Sequence, residues 1–307
     1  MAPFHLRPAI PALFVCLLAP VAQADGLDIF LYPLSFADNQ WQVGTPIPLT
    51  DRPGYDSQPA FTADSKALLF SSDRSGRYTD IYQIDLADKR VSQLTRTPDE
   101  GEFSPTPLPG TDGIRYVVEQ GIPHQSVWQQ QAQQPRSRAI NSYIPTGYYA
   151  SHPQLGTLLW ARYGYNLYFE PTGEQADEGH FVAAGVGRSL HAIPNAPAFS
   201  FIHKRHDGQL WVTRFEPHSG SQSQVIALSP GSEDISWSSN GWIFHTAAQG
   251  LMAYKYNPDI PTGLRQWQQI MPLNAPADGY QAPNRLAISP DDRWLAIVWQ
   301  RSSRPDE

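Results

Sequence analysis

Ser57-Gln58-Pro59-Ala60-Phe61-Thr62-Ala63-Asp64-Ser65-Lys66-Ala67-Leu68-Leu69-Phe70-Ser71-Ser72-Asp73-Arg74-Ser75-Gly76 runs on into Asp80-Ile81-Tyr82-Gln83-Ile84-Asp85-Leu86 and Val91-Ser92-Gln93-Leu94-Thr95. Ala63-Asp64-Ser65 separates two apolar stretches as a hairpin turn does, because short polar side chains bond back to their own backbone. Residues 67–70 are apolar without alternation, the pattern of a strand buried on both faces. Residues 72–79 form a polar loop, Ile81, Ile84 and Leu86 mark a third strand, and residues 91–95 close a fourth. The stretch reads as one four-stranded antiparallel unit.

Weaker copies follow. The buried second strand recurs at residues 114–118, 158–161, 198–202, 241–244 and 295–298. The third strand recurs as Ser126-Val127-Trp128, Asn166-Leu167-Tyr168, Gln209-Leu210-Trp211 and Gly250-Leu251-Met252, at steps of 46, 40, 43 and 41 residues from Ile81. A four-stranded propeller blade occupies about 40–45 residues. The last unit, from Leu286-Ala287-Ile288-Ser289-Pro290-Asp291-Asp292, has room for only two strands. Asp28-Ile29-Phe30-Leu31-Tyr32-Pro33-Leu34 copies a third strand, and Pro46-Ile47-Pro48-Leu49-Thr50 copies a fourth ending in Leu-Thr. The expectation is an all-β, six-bladed propeller in which the two chain ends share one blade, so that no sheet edge stays open.

The unit at 57–95, with its Ser-Asp-Arg-Ser-Gly loop, Asp80-Ile81-Tyr82 and terminal Leu94-Thr95, resembles the repeat of the TolB-type propellers; Ser289-Pro290-Asp291-Asp292 is a second close match. The same repeat occurs in the propeller domains of prolyl-oligopeptidase-like enzymes. The resemblance implies the propeller fold and a tendency to bind proteins or peptides. It concerns the propeller alone, since the sequence offers no counterpart of the domain that precedes it in TolB.

Composition agrees with a turn-rich β protein: 29 Pro and 22 Gly leave little room for long helices, and 12% aromatic residues supply a core. Arg7, an apolar run from residue 9 to 22 and Ala22-Gln23-Ala24 describe a secretory signal peptide, so residues 1–24 are expected to be removed and 25–307 to form the propeller. The one cysteine, Cys16, lies inside that leader after Val15, which does not fit lipid attachment. Without Arg7 the net charge is −8, which provides no field for nucleic acid or anionic lipid. A monomeric periplasmic protein without stable membrane insertion is the expectation.

Nucleophile elbow, zinc helix, EF-hand, Walker loop and dinucleotide fingerprint are all missing from the sequence, so it implies no catalytic residue, no metal and no cofactor. His203 and His206, split by Lys204 and Arg205, make a poor metal pair. Arg74 is expected to hold its loop by pairing with carboxylates, and Trp128, Trp160, Trp211, Trp242, Trp294 and Trp299 to pack between blades.

Six segments entering the inner strands begin with Gly54, Gly101, Gly147, Gly187, Gly231 and Gly279 and should converge at the channel mouth. They bring Asp56, Glu102, Tyr149, Arg188, His191, Glu233, Asp234, Tyr280 and Gln281 as candidate ligand-binding residues. The carboxylates among them predict a negative ring favouring a basic protein or peptide segment. A non-catalytic binding scaffold is the leading reading. An enzyme acting on carbohydrates or lactones through channel carboxylates and a divalent cation is the alternative; calcium there would need about six to eight oxygen ligands.

Overall fold

A computed structural model describes residues 26–121, 124–173 and 179–302; the expected leader, 1–24, lies outside the described residues. Six antiparallel sheets stand around a central channel. Blade one comprises β4 (Asp56–Phe61), β5 (Ala67–Ser72), β6 (Asp80–Asp85) and β7 (Val91–Gln93), in that order from the axis outward. Blades two to five repeat this order from inner strands β8 (Gly101–Pro107), β12 (Thr146–His152), β16 (Val186–Ala192) and β20 (Gly231–Trp237). The only helix among the described residues is a 3-10 turn, Thr262–Leu264.

Blade six is composite. Its inner pair, β24 (Tyr280–Ile288) and β25 (Trp294–Arg301), comes from the carboxyl end, and β1 (Leu27–Ala37) adds the third strand with Leu27 opposite Gln300 and Pro33 opposite Trp294. The outer edge differs from the sequence expectation. Ile47–Pro48 does pair with Phe30 and Leu31, but β1 runs on to Ala37 and folds back through Asp38 and Asn39, both at positive φ, into Gln40–Val43. Asp and Asn are the side chains that best tolerate that conformation in a two-residue hairpin.

The repeat has a physical meaning. The turn Thr62-Ala63-Asp64-Ser65-Lys66 closes with Thr62 and Lys66 donating to Asp64 Oδ1 at 2.7 and 3.1 Å, and Ser65 sits at φ +59°. Ser289-Pro290-Asp291-Asp292-Arg293 rebuilds it: Ser289 and Arg293 donate to Asp291 Oδ1 at 2.6 and 3.1 Å, with Asp292 at φ +58°. The Asp–Leu-Thr pairing also repeats. Thr95 Oγ1 accepts from the Ile81 amide (2.8 Å), and Asp80 accepts from the Thr97 amide (3.1 Å). In blade six Thr50 Oγ1 accepts from the Ile29 amide (2.9 Å), and Asp28 accepts from the Arg52 amide (3.1 Å). In both blades this acid anchors the segment that leads from the outer strand to the next inner strand.

The second strands are almost wholly buried, with Leu68, Phe70, Leu158, Phe201, Phe244 and Ile297 at or near zero exposure. Indoles tie blades together: Trp160 Nε1 donates to the Val186 carbonyl (2.8 Å), and Trp237 Nε1 to Ser200 Oγ (2.9 Å). Trp299, buried within blade six, donates to the Tyr32 hydroxyl across the junction of the chain ends (3.1 Å). Arg74 fixes its loop as expected, through Ser72 Oγ (2.9 Å) and Asp56 (2.7 Å).

Candidate functional site: the central channel

Each inner strand carries a β-bulge, for example between Ser57 and Ala60, Phe103 and Thr106, and Pro283 and Arg285. A bulge inserts an unpaired residue and re-aims the side chains after it. In blades one and two it sits before a proline, with Gln58 and Ser104 at φ +58° and +52°, and Gln58 Oε1 accepts from the Ser104 amide. The residues within and after the bulges line a channel cavity of about 320 Å³, to which all six inner strands contribute.

Tyr149, Arg188, His191 and Asp234 line this cavity together. Arg188 Nη2 meets Asp234 Oδ2 at 2.5 Å, and its Nε lies 3.2 Å from both carboxylate oxygens. Burial alone would raise the Asp234 carboxyl; Arg285 and Arg188 outweigh it and hold the group below the usual range. Burial opposes the charge on Arg188, and the bond to Asp234 overrides it, so the guanidinium is held well above its ordinary value. His191 Nε2 lies 3.1 Å from Ser189 Oγ, and burial pushes the imidazole down to about 4, which keeps it neutral near pH 7. Tyr149 shares a hydrogen bond with Thr106 (2.7 Å), and burial pushes its phenol up.

The other candidates sit elsewhere. Asp56, at 0% exposure, is sealed between Ser72 Oγ (2.5 Å), Arg74 (2.7 Å) and Arg52 (3.2 Å). Glu102, also at 0%, lies against the blade-one loop, 3.8 Å from Arg136, with neither oxygen hydrogen-bonded. Tyr280 donates to Asp28 Oδ2 (2.9 Å) and packs edge-on to Phe30, and the exposed Gln281 reaches only the Arg301 carbonyl (3.4 Å). Glu233 pairs with Lys204 at 2.8 Å and reaches Arg188 at 3.8 Å, outside the cavity lining.

Two channel groups were not among the sequence candidates. Arg285 stands 3.6 Å from Asp234, and its Nη2 donates across the channel to the Tyr148 hydroxyl (2.9 Å) with the guanidinium 5.2 Å from that ring's centre. Tyr148 adjoins the chosen Tyr149, and the bulge between Thr146 and Tyr148 decides how the two face. No sequence signal fixes that bulge. The expected negative ring is therefore replaced by two guanidiniums around one carboxylate. A divalent cation would meet Asp234 only with Arg188 and Arg285 beside it, and among the described residues no three acid, histidine or cysteine side chains gather to hold a metal.

No family model and no curated protein sequence matches it. Among solved structures it is similar to a protein described as a TolB from Agrobacterium tumefaciens (TM-score 0.65, 11% identity), covering 90% of this chain and 99% of that one. TolB from Acinetobacter baumannii aligns at TM-score 0.57 and 12% identity over 90% of this chain, which spans 65% of that protein. A gluconolactonase from Xanthomonas campestris aligns at 0.58 and 10% identity, over 88% and 94% of the two chains. The likeness is one of fold. Proteins described as TolB and a gluconolactonase share it, so function has to be argued from the channel.

Proposed function

We propose that this chain is an exported, non-catalytic binding propeller that captures a protein or peptide segment in its central channel, with an acidic group of the partner set against Arg188 and Arg285. The observation that carries this reading is the charge imbalance of the cavity lining: two guanidiniums and one carboxylate line it beside a neutral imidazole, while Glu233, 3.8 Å from Arg188, is paired with Lys204 outside the lining. A planar guanidinium with unused N–H groups takes a further carboxylate well. Tyr148 and Tyr149 add flat aromatic area that loses little entropy on binding. This charge balance replaces the basic segment expected from sequence by an acidic one, because Asp56 and Glu102 do not line the cavity. No helix among the described residues is long and apolar enough to cross a membrane. The TolB fold likeness supports the choice of a polypeptide partner.

Fluorescence anisotropy with two matched peptide pools tests it, one carrying Glu and the other Gln at the same positions. The Glu pool should bind more tightly, the advantage should shrink as salt rises, and Arg285→Gln should remove most of it. Equal binding of both pools, or an advantage that survives Arg285→Gln and Arg188→Gln together, would refute the reading.

A further inference from the structure

Blades two and three leave a second opening. Their inner strands, β8 and β12, stand further apart than the other neighbouring pairs around the ring. Beyond their ends lies a cleft of about 550 Å³, inside the range of about 300–1,000 Å³ occupied by small-molecule sites. Its walls carry amides and hydroxyls, among them Gln129, Gln131, Asn141, Ser151 and Thr157.

Arg115 projects into this cleft from the second strand of blade two. Its Nη1 donates to Ser151 Oγ across the blade boundary (2.6 Å) and its Nη2 to Gln129 Oε1 (3.0 Å), while its buried Nε has no partner. Arg52, Arg74, Arg136, Arg188, Arg285 and Arg301, all partly buried, each have a carboxylate within 3.6 Å. Arg115 has none among the described residues. The acid that lines the same cleft, Glu170, is already used: its two oxygens accept from the amides of Asn141 and Ser142 at 2.8 Å each. A guanidinium withdrawn from water without a counter-charge is costly unless a ligand supplies one. Burial lowers the Arg115 pKa accordingly, with only Tyr149 opposing it.

We infer that the cleft between blades two and three is a binding site for a small hydroxylated carboxylic acid, whose carboxylate pairs with Arg115 while its hydroxyls meet Gln129, Gln131, Ser151 and Thr157. The site meets the channel only at Thr106, which lines both, and does not depend on the function proposed for the channel. The hydrogen-bonding walls favour a polyol over an apolar acid, and the cleft's size suits a mono- or disaccharide acid.

Galacturonate and its neutral counterpart galactose are the probes, titrated by calorimetry into the wild-type protein and three variants. Galacturonate should bind the wild type, and galactose about tenfold more weakly or worse, the loss of one charged hydrogen-bonding group. Arg115→Met should abolish galacturonate binding yet melt no lower than wild type, since it removes a partly buried charge that has no carboxylate beside it among the described residues. Gln129→Glu places a carboxylate of the protein's own beside Arg115; it should raise the melting temperature and displace the ligand. Arg285→Gln, in the channel, should leave galacturonate binding intact. The inference is overturned if galactose binds as well as galacturonate, if Arg115→Met and Gln129→Glu both retain wild-type affinity, or if a glutamate-bearing peptide outcompetes galacturonate here, which would make the occupant an acidic polypeptide.

Discussion

Replacing Glu102 with Gln should make the protein more stable, and only at neutral and alkaline pH. The carboxyl is fully buried with neither oxygen hydrogen-bonded. Burial raises its pKa from 4.5 to about 7, and nearby Asp80 adds to the rise, while the Thr95 and Thr97 hydroxyls, close by but in no well-formed hydrogen bond to it, and Arg136 offset only part of it. Below pH 4.5 the folded and unfolded chains both hold this proton, so the group does not bear on stability. Between 4.5 and about 7 the folded chain keeps a proton that the unfolded chain has lost, and stability falls as pH rises. The full difference corresponds to about 3 kcal/mol, reached above the folded pKa. Glutamine has the shape of the protonated acid and no such dependence, and Arg136 keeps its pair with Glu100. Urea unfolding followed by tryptophan fluorescence, at half-unit steps from pH 4.5 to 8.5, measures the gap between the two proteins. Taking the difference also cancels His191, whose lowered pKa acts in the opposite sense by removing stability as pH falls from 6.5 towards 4. The gap should open from near zero to about 2–3 kcal/mol in favour of Glu102→Gln. A flat gap, or a less stable variant at pH 8, would mean that Glu102 is ionised and held by Arg136, and would refute the reasoning.

Other perturbations follow from the same contacts. Asp234→Asn takes the carboxylate partner from Arg285 and leaves Arg188 only Glu233, at 3.8 Å, and should cost about 2–4 kcal/mol, discounted for their partial exposure; an unchanged urea midpoint would show the triad to be solvated. Deleting residues 26–48 removes the strand that buries Ile29, Phe30, Leu31, Tyr32 and Leu34. That is roughly 8–15 kcal/mol of burial, as much as a typical domain's whole stability, so the truncated chain should lose its cooperative melt. Gly54 lies at φ +115°, and a Cβ there would come 2.5 Å from Arg52 Nη2 and 2.7 Å from Asp73 Oδ1. Gly54→Ala should therefore break the Arg52–Asp73 pair and cost about 1–3 kcal/mol in the same unfolding assay.

The architecture was legible because its signals are local and repeated. The Thr62–Lys66 and Ser289–Arg293 turns, the Asp80–Thr95 and Asp28–Thr50 pairings, and the unbroken apolar second strands each occupy a few adjacent residues. The Asp38-Asn39 hairpin is not legible in the repeat, because Gln40–Val43 is a strand added to the four-stranded unit while residues 46–50 carry the fourth-strand pattern. The channel was harder to read for a different reason. Side-chain facing on a strand alternates with period two, and every inner strand breaks that period with a bulge. Asp56 and Glu102 precede the bulges and do not reach the cavity, while Arg188 and Asp234 lie inside theirs and Arg285 follows one, and all three line it. Charge pairing is equally non-local. Asp56 meets Arg74, Asp28 meets Arg301, and Asp234 meets Arg188 and Arg285 only once the ring has closed.

The most direct test of the channel account is site-specific photo-crosslinking in the native host. A photoreactive phenylalanine analogue at Ala192, on the channel wall, is compared with the same analogue at Ser221, exposed on the outer strand of blade four. A discrete polypeptide adduct is expected from position 192, absent from 221 and lost when Arg188 and Arg285 are both replaced by Gln. Equal adducts from both positions, or an adduct at 192 that persists without the two arginines, would contradict it.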